Sequence, residues 1–353
     1  MPNCSDDVLA FHDDEVTLPQ AQRNAMKDRR NANRDRLKDH LNRDGKPMPY
    51  VFVKQGSYAM LTMVQDPDND YDIDDGVYFT QASLKRKDGT EMSPTEVKQM
   101  VCTALQDDRF ETKPQVKRSC VRIYYQGGYH VDMPVYRIRT SDGQYELADD
   151  NGWTVSRAAD VEDWFDQENE KSPDRNNGWQ FRRLVRCLKK FARSRKEWKD
   201  QIASGFIITK LAADWYVPNK DREDLALRDT IRKIYNRLCV SPQVYHPITN
   251  NLEITKGPAD STTTFLRDKL RQALVDLAVL DSVTCTRKQA LAAWDKVFGT
   301  DYFSKRLDVL AAKSAPPLPN RAGAETLLRP AAVASGLTFP NRPVVPNKPA
   351  GFA

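Results

Sequence analysis

The sequence predicts an α+β protein with two lobes and a flexible C-terminal tail. Residues 1–160 mix strand patterns with helical ones, and residues 161–312 are dominated by helical patterns. Residues 313–353 show neither periodicity and are rich in proline. We therefore expect a mixed-sheet lobe with an N-terminal helix, then a helical lobe, then a disordered tail.

Composition narrows the class of protein. Hydrophobic residues make up 40% of the 353 residues and charged residues 29%, which is typical of a soluble globular protein. No apolar run approaches the roughly 18–20 residues that cross a bilayer, and the acidic N-terminus lacks the features of a secretory signal. We expect a cytoplasmic protein with no membrane partner. The net charge of +5 suits phosphate ligands but does not by itself indicate nucleic acid.

The cysteines argue against two kinds of scaffold. They lie far apart, and the chain has no C-x-x-C pair and no cysteine–histidine cluster. This spacing argues against a zinc ribbon and against a disulfide framework, so we expect buried free thiols. The six positions are Cys4, Cys102, Cys120, Cys187, Cys239 and Cys285.

The first lobe begins with a long basic helix. Residues 18–41 carry few apolar positions among many Arg and Lys, and Gly45 and Pro47 end the pattern. The interleaved acids are typical of a solvated charged face, although so many cations also leave RNA or DNA binding open. The elements that follow are a strand at 50–53, a helix at 58–64, a strand at 71–80, a helix at 94–105, and a hairpin of strands 120–125 and 130–136 around Gly127 and Gly128.

The second lobe is recognised by helical periodicity. Its clearest apolar stripe recurs at i, i+3, i+4, i+7 and i+10, and consists of Phe181, Leu184, Val185, Leu188 and Phe191. The tail then holds eight of the 21 prolines and one acidic residue, Glu325. Such a segment buries too little apolar surface to order itself.

Two acids on one strand give the first chemical signal. Asp72 and Asp74 alternate with Ile73, so both carboxylates point to the same face of the strand, away from the apolar Val77 and Phe79. Carboxylates held side by side repel unless a cation lies between them, and Mg²⁺ prefers such oxygen ligands. A bare pair of this kind also occurs on solvated strand edges.

Two further features strengthen this interpretation. Gly56 and Ser57 open a helix, with Ser57 15 residues before Asp72. Glycine lets a backbone approach a phosphate, although Gly-Ser also serves as an ordinary helix cap. Asp132 lies opposite the apolar side chains of its own strand, where an unpaired acid is costly. Three carboxylates beside a phosphate-binding turn indicate phosphoryl transfer with two metal ions.

Together these motifs resemble a known family. Gly-Ser, then the segment from Asp72 to Tyr78 (D-h-D-D-G-h-Y, with h apolar), then the segment from His130 to Tyr136 (H-h-D-h-P-h-Y), is similar to the bacterial cGAS/DncV-like nucleotidyltransferases, the CD-NTases. The likeness is nearest to the subgroup of the Vibrio cyclic GMP–AMP synthase and covers most of residues 20–310. It implies a two-lobed nucleotidyltransferase fold, similar to polymerase beta, with the sheet lobe as the catalytic core.

The resemblance assigns roles residue by residue. Asp72, Asp74 and Asp132 match the catalytic metal ligands, which would hold two Mg²⁺ ions, or Mn²⁺ in their place. Gly56 and Ser57 match the cradle for the donor phosphates, with Gln55 beside it. The helix around Arg183 resembles one whose lysine contacts the triphosphate, which selects Lys189, with Lys190 next to it; both could instead be solvated. Ser204 matches a phosphate- or base-contacting serine.

Three predictions stay open at the level of sequence. Arg122 could reach a substrate phosphate or base, or could be an exposed strand residue. His130 could act as a general base, but metal ions make one unnecessary, so we favour a packing or orienting role. The tail, ending at Ala353, resembles the mobile peptides that E1/E2-like enzymes conjugate in phage-defence operons, and it could equally have no role.

The resemblance implies a cyclic oligonucleotide synthase. It would join NTPs, ATP or GTP or both, into a cyclic di- or trinucleotide messenger for antiphage (CBASS) defence and release pyrophosphate. Activation by nucleic acid is not expected, because the zinc insertion of the animal enzyme has no counterpart. The alternatives are a nucleotidyltransferase with linear products and a catalytically silent nucleotide sensor.

Overall fold

The chain forms two hydrophobic cores, one around a sheet and one among helices. The computed structural model describes residues 1–67, 71–126, 128–175, 178–249 and 251–307. The strands are β1 (Val51–Gln55), β2 (Tyr71–Thr80), β3 (Gln115–Val116), β4 (Cys120–Tyr124), β5 (Tyr129–Ile138), β6 (Tyr145–Asp149) and β7 (Gly152–Val155). The helices are α1 (Ser5–Phe11), α2 (Gln20–Arg43), α3 (Gly56–Ala59), α4 (Pro94–Ala104), α5 (Ala158–Asn169), α6 (Gln180–Ala192), α7 (Gly205–Trp215), α8 (Glu223–Val240), α9 (Ser261–Asp276) and α10 (Arg287–Phe298).

The sheet is mixed, as predicted. Within the described residues it has seven strands, in the order β1-β2-β5-β4-β3, with β6 also paired to β5 and β7 paired to β6. β2 and β5 run parallel, and the other pairs are antiparallel. The parallel register places Asp72 beside His130 and Asp74 beside Asp132. The two acidic strands predicted from the sequence are therefore direct neighbours.

Strand β2 separates an apolar face from an acidic one. Ile73, Val77 and Phe79 are fully buried in the sheet core, as their alternation predicts. Asp75 shares their side of the strand and is also fully buried. Its charge is matched by Arg34 of α2, whose Nε donates to Asp75 Oδ2 at 2.6 Å. Asp75 thus anchors α2 to the sheet and lies away from the face that carries Asp72 and Asp74.

Helix α2 uses many of its cations to hold the sheet lobe together. It spans nearly the residues predicted, and its basic side chains do not form a uniformly solvated face. Arg36 pairs with Asp107 at 3.0 Å, and the Arg29 guanidinium lies 4.4 Å from the centroid of the Tyr129 ring. These contacts account for part of the positive charge that otherwise invites a nucleic-acid interpretation.

The N-terminal residues belong to the helical core. Val8 and Phe11 of α1 are buried among α6, α8 and α10, and the Cys4 N–H donates to Asp224 Oδ2 at 3.0 Å. The sequence pattern assigns residues 1–160 to the first lobe, but local periodicity does not reveal which distant core an amphipathic segment joins. The predicted boundary at residue 160 also falls inside α5, which leads from the sheet to the helices.

One predicted element is wrong. The pattern at 58–64 suggests a helix, whereas α3 is a single turn and Leu61 has a φ of +56°. Three consecutive carbonyl groups of this segment accept hydrogen bonds from side chains of α6. Arg182 donates to Met60, Arg186 to Leu61 and Lys189 to Thr62.

The structure describes the residues of most remaining predictions, but not those of the C-terminal tail. Helix α4 begins with the capping box of Ser93 and Glu96, and β4 and β5 pair as the predicted hairpin, although Gly127 lies outside the described residues. All six cysteines are free thiols, four of them buried. No helix in the described ranges is long and apolar enough to span a bilayer. The predicted Pro-rich tail and Ala353 lie outside the described residues.

Candidate active site

Three carboxylates share one face of the sheet. Asp74 and Asp132 are register partners on β2 and β5, and Asp72 lies two residues before Asp74. The Asp72 side chain is 53% exposed, whereas that of Asp132 is 11% exposed. Burial, followed by the negative charges of Asp132 and Asp72, raises the pKa of Asp74 to about 7. Such an accumulation of charge favours binding of a cation.

Arg122 supplies the positive charge that Asp132 contacts. The hairpin register places Arg122 opposite Asp132, with Nε donating to Oδ1 at 2.8 Å and Nη2 to Oδ2 at 2.7 Å. Nη2 also lies 3.9 Å from Asp72 Oδ1. Hydrogen bonding to Asp132 raises the pKa of Arg122 above its ordinary value. Arg122 is therefore part of the acidic centre and not an isolated surface residue.

His130 lies at the edge of the same centre. Its Nδ1 is 3.4 Å from Asp72 Oδ1, and its ring packs edge-on against Tyr124 with the centroids 5.2 Å apart. Both contacts fit the predicted packing or orienting role. The position beside Asp72 would restrict where that exposed carboxylate can turn.

The Gly56 turn approaches Asp74 closely. Gly56 has a φ of +64°, in the left-handed region, and a Cβ at this position would overlap the Asp74 carboxylate. The Gly56 N–H donates to Glu162 Oε1 at 3.1 Å. The Ser57 carbonyl accepts from the Thr62 N–H at 2.9 Å. A turn with these properties lies where the sequence predicts the phosphate cradle.

Gln55, predicted to contact the nucleotide beside Gly56 and Ser57, has a buried side chain. The residue is 4% exposed, and its amide bridges two tyrosines. Its Nε2 donates to the Tyr78 hydroxyl at 2.8 Å, and the Tyr136 hydroxyl donates to its Oε1 at 3.1 Å. Its burial between the two tyrosines leaves this side chain little access to a nucleotide. We therefore assign Gln55 to support of the turn.

Lys189 connects the helical core to this turn. Its Nζ donates to Thr62 Oγ1 at 2.8 Å, and Thr62 in turn contacts Ser57. The side chain passes over Gly205, where an added Cβ would lie 3.3 Å from Lys189 Cε. Burial, with the charges of Arg193 and Arg186, lowers the pKa of Lys189 to about 7. A buried amine in this state gains a proton when an anion arrives.

The other two predicted residues of the helical lobe have structural partners. Lys190 Nζ donates to the Gln65 carbonyl at 3.2 Å, and Ser204 caps α7 by accepting from the Ile207 N–H at 3.4 Å. Lys190 is the next residue after Lys189, and Ser204 precedes Gly205, which packs against the Lys189 side chain. Between the two lysines, Lys189 is the one joined through Thr62 to the Gly56 turn.

Glu162 is a site residue that the sequence does not reveal. It belongs to α5 and accepts the Gly56 N–H. Burial raises its pKa to about 7, the Gly56 hydrogen bond opposes that rise, and Asp163 and Asp74 add to it. A single Glu in an acid-rich helix carries no motif, so only the tertiary contact identifies it.

The acidic centre fits an open metal site more than a closed cage. Among the residues that the structure describes, no three His, Cys, Asp or Glu side chains are grouped closely enough to hold an ion by themselves. Mg²⁺ at phosphoryl-transfer sites usually takes only one or two carboxylates and completes its shell with water and substrate phosphates. Two observations fit this type of site: the pKa of Asp74 is raised, and Asp132 already binds a positive group, the Arg122 guanidinium.

Comparisons with known proteins agree with this geometry. Residues 50–136 match the family model described as the nucleotidyltransferase domain of cyclic GMP-AMP synthase DncV-like proteins. That range contains β1, β2, β4 and most of β5, and thus the Gly56 turn and all three acids. An Acinetobacter protein named cyclic AMP-AMP-AMP synthase is 30% identical over 343 residues, covering 92% of this chain and 90% of its own.

Solved structures share the fold. The Vibrio cholerae DncV cyclic AMP-GMP synthase, in complex with nonhydrolyzable GTP, superposes with a TM-score of 0.66 at 16% identity, covering 84% of this chain and 96% of its own. The Bradyrhizobium diazoefficiens CD-NTase CdnG, in complex with GTP, gives a TM-score of 0.63 at 15% identity, covering 87% and 98%. The two-lobed α+β architecture predicted from the sequence is confirmed.

Proposed function

We infer the function from one premise: this chain belongs to the CD-NTase family, whose members are nucleotidyltransferases that make cyclic oligonucleotides. We propose that the chain joins NTPs into a cyclic di- or trinucleotide. The observation that carries the proposal is the register of Asp74 and Asp132 beside the Gly56 turn. The register brings the carboxylates next to a left-handed glycine turn, an arrangement that supports binding of divalent cations and of phosphate together.

The proposed reaction is transfer of a nucleotidyl group. A ribose hydroxyl of one NTP attacks the α-phosphorus of another, the α–β phosphoanhydride bond breaks, and pyrophosphate leaves. Asp72, Asp74 and Asp132 would hold divalent cations, Mg²⁺ or Mn²⁺, which would neutralise phosphate charge and lower the pKa of the attacking hydroxyl. A last attack of the same kind, on the α-phosphorus of the linear product's own 5′-triphosphate, closes the ring and releases another pyrophosphate; it is the second attack for a dinucleotide and the third for a trinucleotide.

The chain's own residues would position the triphosphate. Gly56 and Ser57 offer backbone and hydroxyl donors, and Lys189 offers charge from the helical core. Arg122 holds Asp132 in the structure and would be available to substrate phosphate or base once that carboxylate binds a cation. We propose that Asp74 and Asp132 keep their mutual position throughout, since the strand register fixes it.

The biological role follows from the family alone. We propose that the product is a messenger for antiphage (CBASS) defence, and the name of the Acinetobacter relative makes ATP the first substrate to test. Conjugation of the tail at Ala353 by an E1/E2-like partner stays a prediction.

We predict a phosphatase-resistant product. The purified chain, incubated with ATP, GTP and Mg²⁺, is expected to release pyrophosphate and form an oligonucleotide that survives alkaline phosphatase, because a ring has no terminal phosphate. Mass spectrometry and nuclease mapping give its size, bases and linkages. A product that loses terminal phosphates to the phosphatase, seen as a drop in mass, would indicate a linear synthase. Nucleotide binding without any pyrophosphate would indicate a silent sensor.

We predict that nucleotide binding is coupled to proton uptake through Lys189. With its pKa lowered to about 7, the amine is largely neutral at pH 8, and a nearby triphosphate restores the charged form. Calorimetric titration with a nonhydrolysable ATP analogue, in two buffers of different ionisation enthalpy, should show uptake of up to about one proton. Lys189→Met should abolish the uptake and Lys190→Met should retain it. Unchanged uptake in Lys189→Met would remove Lys189 from the phosphate site.

A further inference from the structure

The carboxylate of Glu162 occupies a donor that the proposed function assigns to the nucleotide. Its Oε1 accepts the Gly56 N–H at 3.1 Å, at a left-handed turn packed directly against Asp74. Backbone N–H groups at such turns commonly bind anions. A carboxyl side chain, which carries a negative charge when ionised, therefore already lies at the position where a substrate phosphate is expected.

We propose that Glu162 is a stand-in for the donor triphosphate, which nucleotide binding must displace. This inference rests on the proposed function. One N–H cannot serve a carboxylate and a phosphate fully at once, and two anions at that distance repel. Glu162 also adds negative charge near Asp74. In the same way, the Arg122 guanidinium binds the Asp132 carboxylate, where the proposed function expects a divalent cation. Without substrate, Glu162 therefore takes the position expected for a phosphate, and Arg122 takes the position expected for a metal ion.

The displaced carboxylate has space and positive charge beside it. Glu162 lines a cavity of about 550 Å³. The cavity includes Phe52 and Lys54, which face the α2 side of the sheet, since their register partners are Val77 and Asp75. The charge of Lys54 already acts on Glu162. The wall also carries Lys27, Arg30, the Asp75-paired Arg34 and one further acid, Asp166. We expect the displaced Glu162 to turn from the Gly56 N–H toward Lys54, whose charge already acts on it.

The contact allows one other interpretation, with the opposite consequence. Glu162 could be a fixed support that holds the Gly56 turn in its left-handed conformation. Removing a support weakens nucleotide binding, because the turn loses its geometry. Removing a competitor strengthens binding, because the N–H becomes free and the repulsion disappears. The sign of the change in affinity therefore separates the two.

The test is calorimetric titration of the full chain with a nonhydrolysable ATP analogue in Mg²⁺. We expect Glu162→Ala to bind about 10-fold more tightly than the unaltered chain, from release of one charge-assisted hydrogen bond and one repulsion. Glu162→Gln, which keeps an acceptor but loses the charge, should fall between them. Asp163→Ala, at the exposed neighbouring acid, is the matched control and should differ less than about 2-fold.

Lys54 gives an independent check on the displaced position. Lys54→Met should weaken binding of the analogue in the unaltered chain and have no effect when combined with Glu162→Ala. In protein labelled with ¹⁵N-glycine, the Gly56 amide signal should shift when the analogue binds, as its partner changes from carboxylate to phosphate.

Two outcomes would overturn the inference. Equal binding by both Glu162 variants, at unchanged melting temperature, would show that Glu162 does not compete with the nucleotide, and weaker binding would make it a support. Additive effects of Lys54→Met and Glu162→Ala would contradict the proposed movement. Failure of the unaltered chain to bind the analogue would instead overturn the proposed function, so the two failures are distinguishable.

Discussion

Replacing Asp72 and Asp74 together by Asn is expected to reduce product formation by at least about 10³-fold, a loss of several kcal/mol of transition-state stabilisation. Asn keeps the size of each side chain but removes the charge that holds a cation. The measurement is release of pyrophosphate from ATP and GTP over a range of Mg²⁺ and Mn²⁺ concentrations. Product formation at the rate of the unaltered chain would contradict the metal-site assignment.

The same variant should be more stable than the unaltered chain at alkaline pH. The folded-state pKa of Asp74, about 7, lies above its ordinary value of 3.8. Its contribution to stability is therefore fully present below pH 3.8 and is lost as pH rises through about 7. Without metal at pH 8, the variant should melt at least about 2 °C higher, the shift that roughly 1 kcal/mol gives in a domain of this size. At pH 5 the gain should shrink.

Asp75 offers the contrasting control. It is adjacent to Asp74 but faces α2, where it pairs with Arg34. Asp75→Asn should lower the melting temperature, because it leaves a partly buried guanidinium without its charge partner. Product formation per folded molecule should be retained. If Asp75→Asn loses stability while the Asp72 and Asp74 variant loses catalysis, the two faces of β2 have different roles, one structural and one catalytic.

Strand alternation and turn chemistry made much of the sheet lobe predictable. Asp72 and Asp74 could be identified because they share the strand face opposite the apolar Ile73, and Asp132 because it stands in an otherwise apolar strand. The hairpin also contains information on Arg122. Pairing the predicted strands 120–125 and 130–136 across a short connection brings Arg122 opposite Asp132, as the register shows. The pairing of Arg122 with the third acid could therefore have been read from the sequence.

Other parts of the site depend on contacts between segments distant along the chain. Glu162 reaches Gly56 across 106 residues, and no local pattern distinguishes it from its acidic neighbours. Leu61 breaks the predicted helix at 58–64 because α6 supplies side-chain donors to that segment. Gln55 lies beside the predicted cradle, yet two tyrosines from other strands bind its amide. Propensity and periodicity describe neighbours in sequence, so they do not report such competition for hydrogen bonds.

Gly56→Ala is expected to give the second large loss of activity, at least about 100-fold, the cost of a misplacement of roughly 1 Å at a catalytic centre. The substitution has two effects. The left-handed φ of +64° disfavours any residue with a Cβ, and that Cβ would overlap the Asp74 carboxylate. Either Asp74 or the turn must move, which breaks the alignment between the acids and the phosphate donors. Pyrophosphate release and the melting temperature are the measurements.

Gly45→Ala separates these two effects. Gly45 has a nearly identical φ of +59°, and an added Cβ there would meet nothing within 4 Å. Both variants share the backbone penalty, about 1–2 kcal/mol for a left-handed residue, but only Gly56→Ala displaces Asp74. We expect similar losses of stability from that shared penalty and full activity in Gly45→Ala. Equal activity in the two variants would mean that the Gly56 turn and Asp74 do not act as one site. A loss confined to Gly56→Ala would mean that their close approach is required for catalysis.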